Sequence, residues 1–165
     1  MIASQTAAPA PDIRFEQPHD DAAIEALLDH AFGPGRFAKS SERVREFAEF
    51  RQDLSFCAWD QGRLVGSVRM WKIRIGDTPA IFLGPLAVQS EQRKAGAGGL
   101  LVARACQAAE AAGSPLVLLV GDAPYFRRFG FSADETRAVL MPGPVDPRRV
   151  LARGASAPLV GKVRA

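Results

Sequence analysis

The apolar positions change their period several times along the chain, and each change predicts a different element. Ile13 and Phe15 alternate with Arg14 and Glu16, as in a short half-buried strand. From Asp20 onward Ile24, Leu27, Leu28 and Ala31 fall on one helical face, and Gly33-Pro34-Gly35 ends that helix. Residues Arg36 to Lys39 read as a loop. Ser40 or Ser41 can then cap a second helix whose apolar face is Val44, Phe47 and Ala48. The middle of the chain is β. Residues 54–59 and 63–75 flank Asp60-Gln61-Gly62, a hairpin turn. In the second of these strands Trp71, Ile73 and Ile75 alternate with Lys72 and Arg74. Upstream the phase passes to Leu64, Val68 and Met70, which predicts a bulge or two covered faces. A third strand, about Ala80 to Val88, contains Gly84-Pro85. Proline has no N–H for a ladder, so pairing there must be broken or one-sided.

A long helix from about Gly98 to Ala112 follows, closed by Gly113 and Pro115, with Leu101, Ala105, Ala108 and Ala112 as its inner face. Leu116 to Val120 is a continuous apolar run, the mark of a central strand buried on both faces. A short helix near Ala123 to Arg128 and a strand near Arg137 to Met141 come next, and the final stretch reads as loop plus one edge strand. Strands interleaved with helices make this an α/β (α+β) sheet domain. Its 165 residues suit one domain over 12–165 behind a flexible tail, 1–11. No apolar run is long enough to span a bilayer, and the first residues lack the basic start and apolar segment of a secretion signal. Cys57 and Cys106 sit in apolar contexts far apart, as buried free thiols of a reducing compartment do, so a cytoplasmic location is expected and no metal site. The net charge of +3 comes from scattered basic residues. That pattern speaks against a nucleic-acid partner and suits a polyanionic small ligand.

The chemistry concentrates in Leu83 to Leu101, LGPLAVQSEQRKAGAGGLL. A strand ends near Val88, a polar turn follows, and Arg93-Lys94-Ala95-Gly96-Ala97-Gly98-Gly99 leads into the long helix. The glycines allow close backbone approach, and the first amides of a helix have no internal partner and sit at the positive end of its dipole. Arg93 and Lys94 add formal charge, so the segment forms an anion site sized for phosphates. A P-loop would need lysine and a hydroxyl after the glycines, and the dinucleotide fingerprint needs a glycine where Leu101 stands.

The segment resembles the GNAT superfamily of N-acetyltransferases, whose Arg/Gln-x-x-Gly-x-Gly/Ala signature is matched by Arg93, Gly96 and Gly98. The resemblance extends to Leu86-Ala87-Val88 upstream, and downstream to Gly121-Asp122 and Tyr125-Phe126-Arg127-Arg128-Phe129-Gly130-Phe131. It implies a mixed, mostly antiparallel central sheet with helices on both faces, splayed between the strands ending near Val88 and Val120. It implies acetyl-CoA as co-substrate, with its pyrophosphate on the backbone of residues 93–98 (Arg93, Lys94, Ala95, Gly96, Ala97, Gly98) and its arm along Leu86, Ala87 and Val88. Arg127 and Arg128 either reach coenzyme phosphates or form a solvated pair on the short helix. The implied reaction is transfer of acetyl to a primary amine of a small molecule or protein by direct attack. A catalytically weak or inactive coenzyme-binding module, acting as a sensor or partner domain, is the alternative. A homodimer is compatible with either.

The chain departs from the family pattern at the proton donor, often a tyrosine four residues before the glycine of Gly-Phe. Phe126 holds that position, and Tyr125, the one tyrosine in the chain, sits one place earlier. Tyr125 is therefore the candidate acid, or else a packing residue. Asp122, the nearest carboxylate, is the candidate base or the cap of the following helix. His19 and His30 read as surface residues, and Trp59 and Trp71 as sheet-face aromatics.

Overall fold

A computed structural model describes residues 10–93 and 96–165. The strands are β1 (Asp12–Phe15), β2 (Glu49–Phe50), β3 (Phe56–Asp60), β4 (Arg63–Ile75), β5 (Thr78–Val88), β6 (Val117–Val120), β7 (Ala138–Leu140), β8 (Val150–Arg153) and β9 (Val160–Arg164). The helices are α1 (Asp21–Phe32), α2 (Ser40–Arg45), α3 (Ser90–Arg93), α4 (Ala97–Ala111) and α5 (Ala123–Phe126). The expected tail lies outside the described residues as far as residue 9.

Hydrogen-bonded order along the main sheet is β1-β3-β4-β5-β6-β8, with β2 and β9 also on β4 and β7 on β9. Pairing is antiparallel except for β5 with β6 and β7 with β9. The β3–β4 hairpin turns through Gln61 (φ 50°) and Gly62 (φ 75°), both left-handed, the conformation that matches the twist of the flanking strands.

The shifting phase of β4 has both of the causes the sequence allows. A register shift opposite Ala58/Trp59 marks a bulge in the β3–β4 pair. Both faces of the strand are also covered. Val68 and Met70 pack with Leu101, Ala105 and Cys106 of α4, while Trp71, Ile73 and Ile75 pack with Val44 of α2 and with Leu118. Ile24, Leu27 and Leu28 of α1 cover Cys57, Leu64 and Ala87 on the α2 side. The sheet is thus a middle layer with helices on both faces.

In β5 the ladder to β4 is not broken at Gly84-Pro85. It slips by one residue instead, because Met70 pairs with Leu83 and Val68 with Leu86. The bulge is held in place by the buried indole of Trp71, whose Nε1 donates to the Gly84 carbonyl at 2.6 Å. A bulge absorbs the missing proline N–H and re-aims every residue beyond it.

Four local expectations are corrected. The inner face of α4 is Leu101, Val102, Ala105, Cys106 and Ala109, while Ala112 lies outside on the surface, because the helix rolls to bring Cys106 onto the sheet. Residues Pro34–Ala38 form a short 3-10 turn rather than an open loop. Ser40 does not cap α2; its Oγ donates to the Pro144 carbonyl at 3.2 Å. The final stretch supplies two strands, and β8 pairs fully with β6, so that β6 is flanked on both sides. Cys57 and Cys106 are buried and unpaired in separate core clusters. Burial, helped by Asp20 and Glu16, pushes the Cys57 thiol up to about 12, which makes it inert.

Candidate active site

Two residue pairs, Ile81 with Val117 and Phe82 with Leu118, join β5 to β6. Beyond them the strands diverge, β5 running to Val88 and β6 to Val120, and a cleft of about 1230 Å³ opens between their ends. Leu83 to Val88 form one wall and Leu119 to Asp122 another. The splay expected from the sequence is the origin of the cleft, and the bulge orients its wall. The Gln89 amide donates to Val65 at 2.8 Å, toward β4. Strand alternation then turns the main-chain groups of Leu86 and Val88 to the open side, where β6 no longer takes them.

At one end of the cleft lies the first turn of α4. Gly96 is the N-cap, with φ 77° in the left-handed region, and no side chain caps the helix. The first bond into it runs from the Leu100 amide to the Gly96 carbonyl at 3.1 Å. Among the described residues the amides of Ala97, Gly98 and Gly99 have no partner, as at the start of any helix, and they sit at the positive end of the dipole of a 15-residue helix. Among the described residues a Cβ on Gly96 would meet nothing within 4 Å. Gly98 serves close approach: a Cβ there would lie 3.1 Å from the Tyr125 hydroxyl and 3.6 Å from Val88. The helix start, the end of β5 and the tyrosine hydroxyl therefore converge. The Arg93 side chain, Lys94 and Ala95, expected at this end, lie outside the described residues.

Tyr125 and Phe126 both line the cleft, and only Phe126 is buried. Phe126 is buried against Phe131 and Gly121, with the two phenyl centroids 6.0 Å apart. Tyr125, turned about 100° from it around the helix, faces the cleft. Its ring stands edge-on to Phe126, and the Arg128 guanidinium covers it at 4.5 Å. Arg128 donates from Nε to the Tyr125 carbonyl at 3.2 Å and reaches the cleft wall. Asp122 caps α5, its Oδ2 accepting from the Tyr125 amide at 3.2 Å, and the side chain is otherwise exposed at the cleft.

The opposite end, on the α1/α2 side of the sheet, is built from side chains. Arg36, buried at 3% exposure, is gripped by Glu25 (2.7 Å), Asp29 (2.9 Å) and Glu42 (2.7 Å). Arg45 bridges Glu25 and Glu42, and Arg69 on β4 bridges Glu16, Asp21 and Glu25. Burial would raise the Glu25 carboxyl, but hydrogen bonds from Arg45 and Arg36 outweigh it and hold it at about 2. Sequence reading missed this network. The one available hint was an arginine directly after Gly-Pro-Gly, in a stretch otherwise rich in paired acids and arginines. Arg36 and Glu42 line the cleft beside Phe32, Lys39, Ser40 and Ser41.

The geometry agrees with what similarity to known proteins gives. Residues 22–131 match the acetyltransferase (GNAT) family model. The chain is 30% identical over 121 residues to the uncharacterized N-acetyltransferase YhbS of Escherichia coli K12, covering 72% of each protein. The crystal structure of E. coli YhbS in complex with CoA superposes with a TM-score of 0.75 at 24% identity, over 96% of this chain and 91% of that one, a likeness of fold. A GNAT acetyltransferase from Brucella melitensis in complex with acetyl-CoA matches at 28% identity and a TM-score of 0.61, over 87% of this chain and 96% of that one. With two thirds of its length matched by the family model and the cleft in the place the fold requires, the chain belongs to the GNAT acetyltransferase family.

Proposed function

We propose that the chain transfers the acetyl group of acetyl-CoA to a primary amine, by direct attack within the cleft between β5 and β6. The observation that carries this reading is the convergence of the uncapped start of α4, the open side of Leu86 to Val88 and the Tyr125 hydroxyl on one space. The amides of Ala97, Gly98 and Gly99 bind the diphosphate through main-chain donors and the helix dipole. Arg128 adds charge at the same end, as do Arg93 and Lys94 in the sequence. The main chain of Leu86, Ala87 and Val88 aligns the pantetheine arm and turns an amide toward the thioester oxygen, where negative charge develops. Nitrogen forms its bond to the carbonyl carbon, the carbon–sulfur bond breaks, and Tyr125 gives the departing thiolate its proton. Asp122 keeps Oδ1 free of the capping bond and takes the proton released by the amine, directly or through water.

A thiol-release assay across an amine panel tests the reading. Release above the hydrolysis background is expected, and coenzyme binding without release would leave a non-catalytic module. Asp122→Asn keeps a capping oxygen but removes the base. It should lower kcat about tenfold or more; an unaltered kcat would reduce Asp122 to a cap.

A further inference from the structure

Besides Asp122 and Arg128, the cleft is lined by five charged side chains, Arg36, Lys39, Glu42, Asp146 and Arg149. Three of them are engaged by opposite charge. Arg36 and Glu42 hold each other within the buried network, and Asp146 is clasped by the Arg148 guanidinium at 3.0 Å and by the Arg148 amide at 3.0 Å. Lys39 and Arg149 differ: among the described residues neither has a carboxylate within ion-pair distance. The Lys39 ammonium stands 4.6 Å over the ring of Phe32, itself a cleft residue, which orients the charge without neutralising it. Arg149 stands on the facing wall. Its carbonyl accepts from the Gly121 amide at 2.9 Å, which pins its backbone beside the end of β6. The Ser40–Pro144 hydrogen bond ties the two walls together. Lys39 thus lines the α1/α2 side of the cleft and Arg149 the side next to the end of β6.

We propose that the acceptor carries an anionic group, carboxylate or phosphate, besides its amine, and that Lys39 and Arg149 hold that group from facing walls while the amine points at the thioester. The proposal rests on the acetyl-transfer reading. A plain alkylamine is a cation at neutral pH and meets two cations that no carboxylate pairs at contact distance, Arg149 sharing only a longer-range attraction with Asp146. A zwitterionic acceptor satisfies them, and the Arg149 fork suits a planar or tetrahedral oxyanion.

The test uses matched acceptors: phenylalanine against phenethylamine, and phosphoethanolamine against ethanolamine. At least one anionic member should have kcat/KM about tenfold or more above its neutral partner, and the two pairs separate carboxylate from phosphate. Lys39→Gln and Arg149→Gln, both at exposed positions, should each remove roughly tenfold of that preference through KM and leave the KM for acetyl-CoA unchanged. Equal or better use of both neutral partners overturns the proposal. So does a raised KM for acetyl-CoA with the preference intact, since the cations would then serve the coenzyme. If no amine releases thiol, the acetyl-transfer reading fails first. Titration of N-acetylphenylalanine and N-acetylphenethylamine onto the CoA-loaded protein then decides the anion site separately. A carboxylate preference abolished by both variants supports it, and equal or absent binding overturns it.

Discussion

At one end of the cleft the chain offers main-chain donors: the amides of Ala97, Gly98 and Gly99, bared by glycine and lacking a side-chain cap. At the other it offers a lattice of arginines and carboxylates, with Arg36 bound to three acids from two helices. The first end is cheap to build, because a helix start carries its orphan donors and dipole wherever glycine lets a ligand come close. The second depends on partners up to 53 residues apart, as between Glu16 and Arg69. A main-chain site can hold one invariant ligand part, whereas side chains on a braced frame can be varied to select an acceptor. Damage to the first end should therefore appear as lost coenzyme affinity, and damage to the second as lost stability.

The largest effect expected is on the braced end. Arg36→Met leaves Glu25, Asp29 and Glu42 without their shared cation. It should lower unfolding stability by about 3–5 kcal/mol, as removal of one member of a buried ion network does. A change below about 1 kcal/mol in denaturant melts would show that Arg45 and water replace Arg36. Next comes Gly96→Glu, which puts a carboxylate at the N-cap of α4. Affinity for acetyl-CoA should fall by roughly a hundredfold or more, with a native circular-dichroism spectrum despite the strained φ. Unaltered affinity would move the diphosphate elsewhere. Tyr125→Phe should lower kcat about a hundredfold with coenzyme affinity preserved, and an unaltered kcat would return Tyr125 to a packing role beside Phe126 and Phe129.

The smallest effect is the acid titration of the braced end. Glu25 titrates at about 2 in the fold against its ordinary 4.5. Its folded value is the depressed one, so its stabilisation is complete above the ordinary value and is lost as pH falls from there toward 2. Glu16 works the other way. Burial raises its carboxyl above the ordinary 4.5 despite the hydrogen bond from Arg69, so the cost of its charge is relieved as pH falls toward 4.5 and Glu16 adds nothing to the loss below that. A net loss on the order of 1–2 kcal/mol between about pH 5 and pH 2 should appear in denaturant melts. A flat profile would mean that the arginines confer no net stability on Glu25.

The difference between the ends also sets how legible each was in the sequence. The glycine start of α4, the Asp60-Gln61-Gly62 turn and the double phase of β4 are local patterns, governed by backbone freedom and by the two covered faces of one strand. The divergence of β5 and β6 could be anticipated from Gly84-Pro85 and the family resemblance, although the ladder slips there rather than breaks. Arg36 was legible only as a hint after Gly-Pro-Gly, because its three acids lie on two helices and meet it only in space. Nor was β8: its short apolar run Val150-Leu151-Ala152 sits among prolines and arginines, and pairing with β6, some 30 residues upstream, makes it a strand. The one-residue departure at Tyr125 and Phe126 was visible, but that Phe126 is buried while the Tyr125 hydroxyl approaches Gly98 depends on packing against Gly121 and Phe131.

The central claim is that the bare main chain at the start of α4 grips the diphosphate of acetyl-CoA. Calorimetric titration of the protein with acetyl-CoA and with S-acetylpantetheine, which keeps the thioester arm but lacks the diphosphate, tests it most directly. Acetyl-CoA should bind at least about a hundredfold more tightly than the truncated thioester. Equal affinities, or no heat with acetyl-CoA at millimolar concentration, would contradict the account.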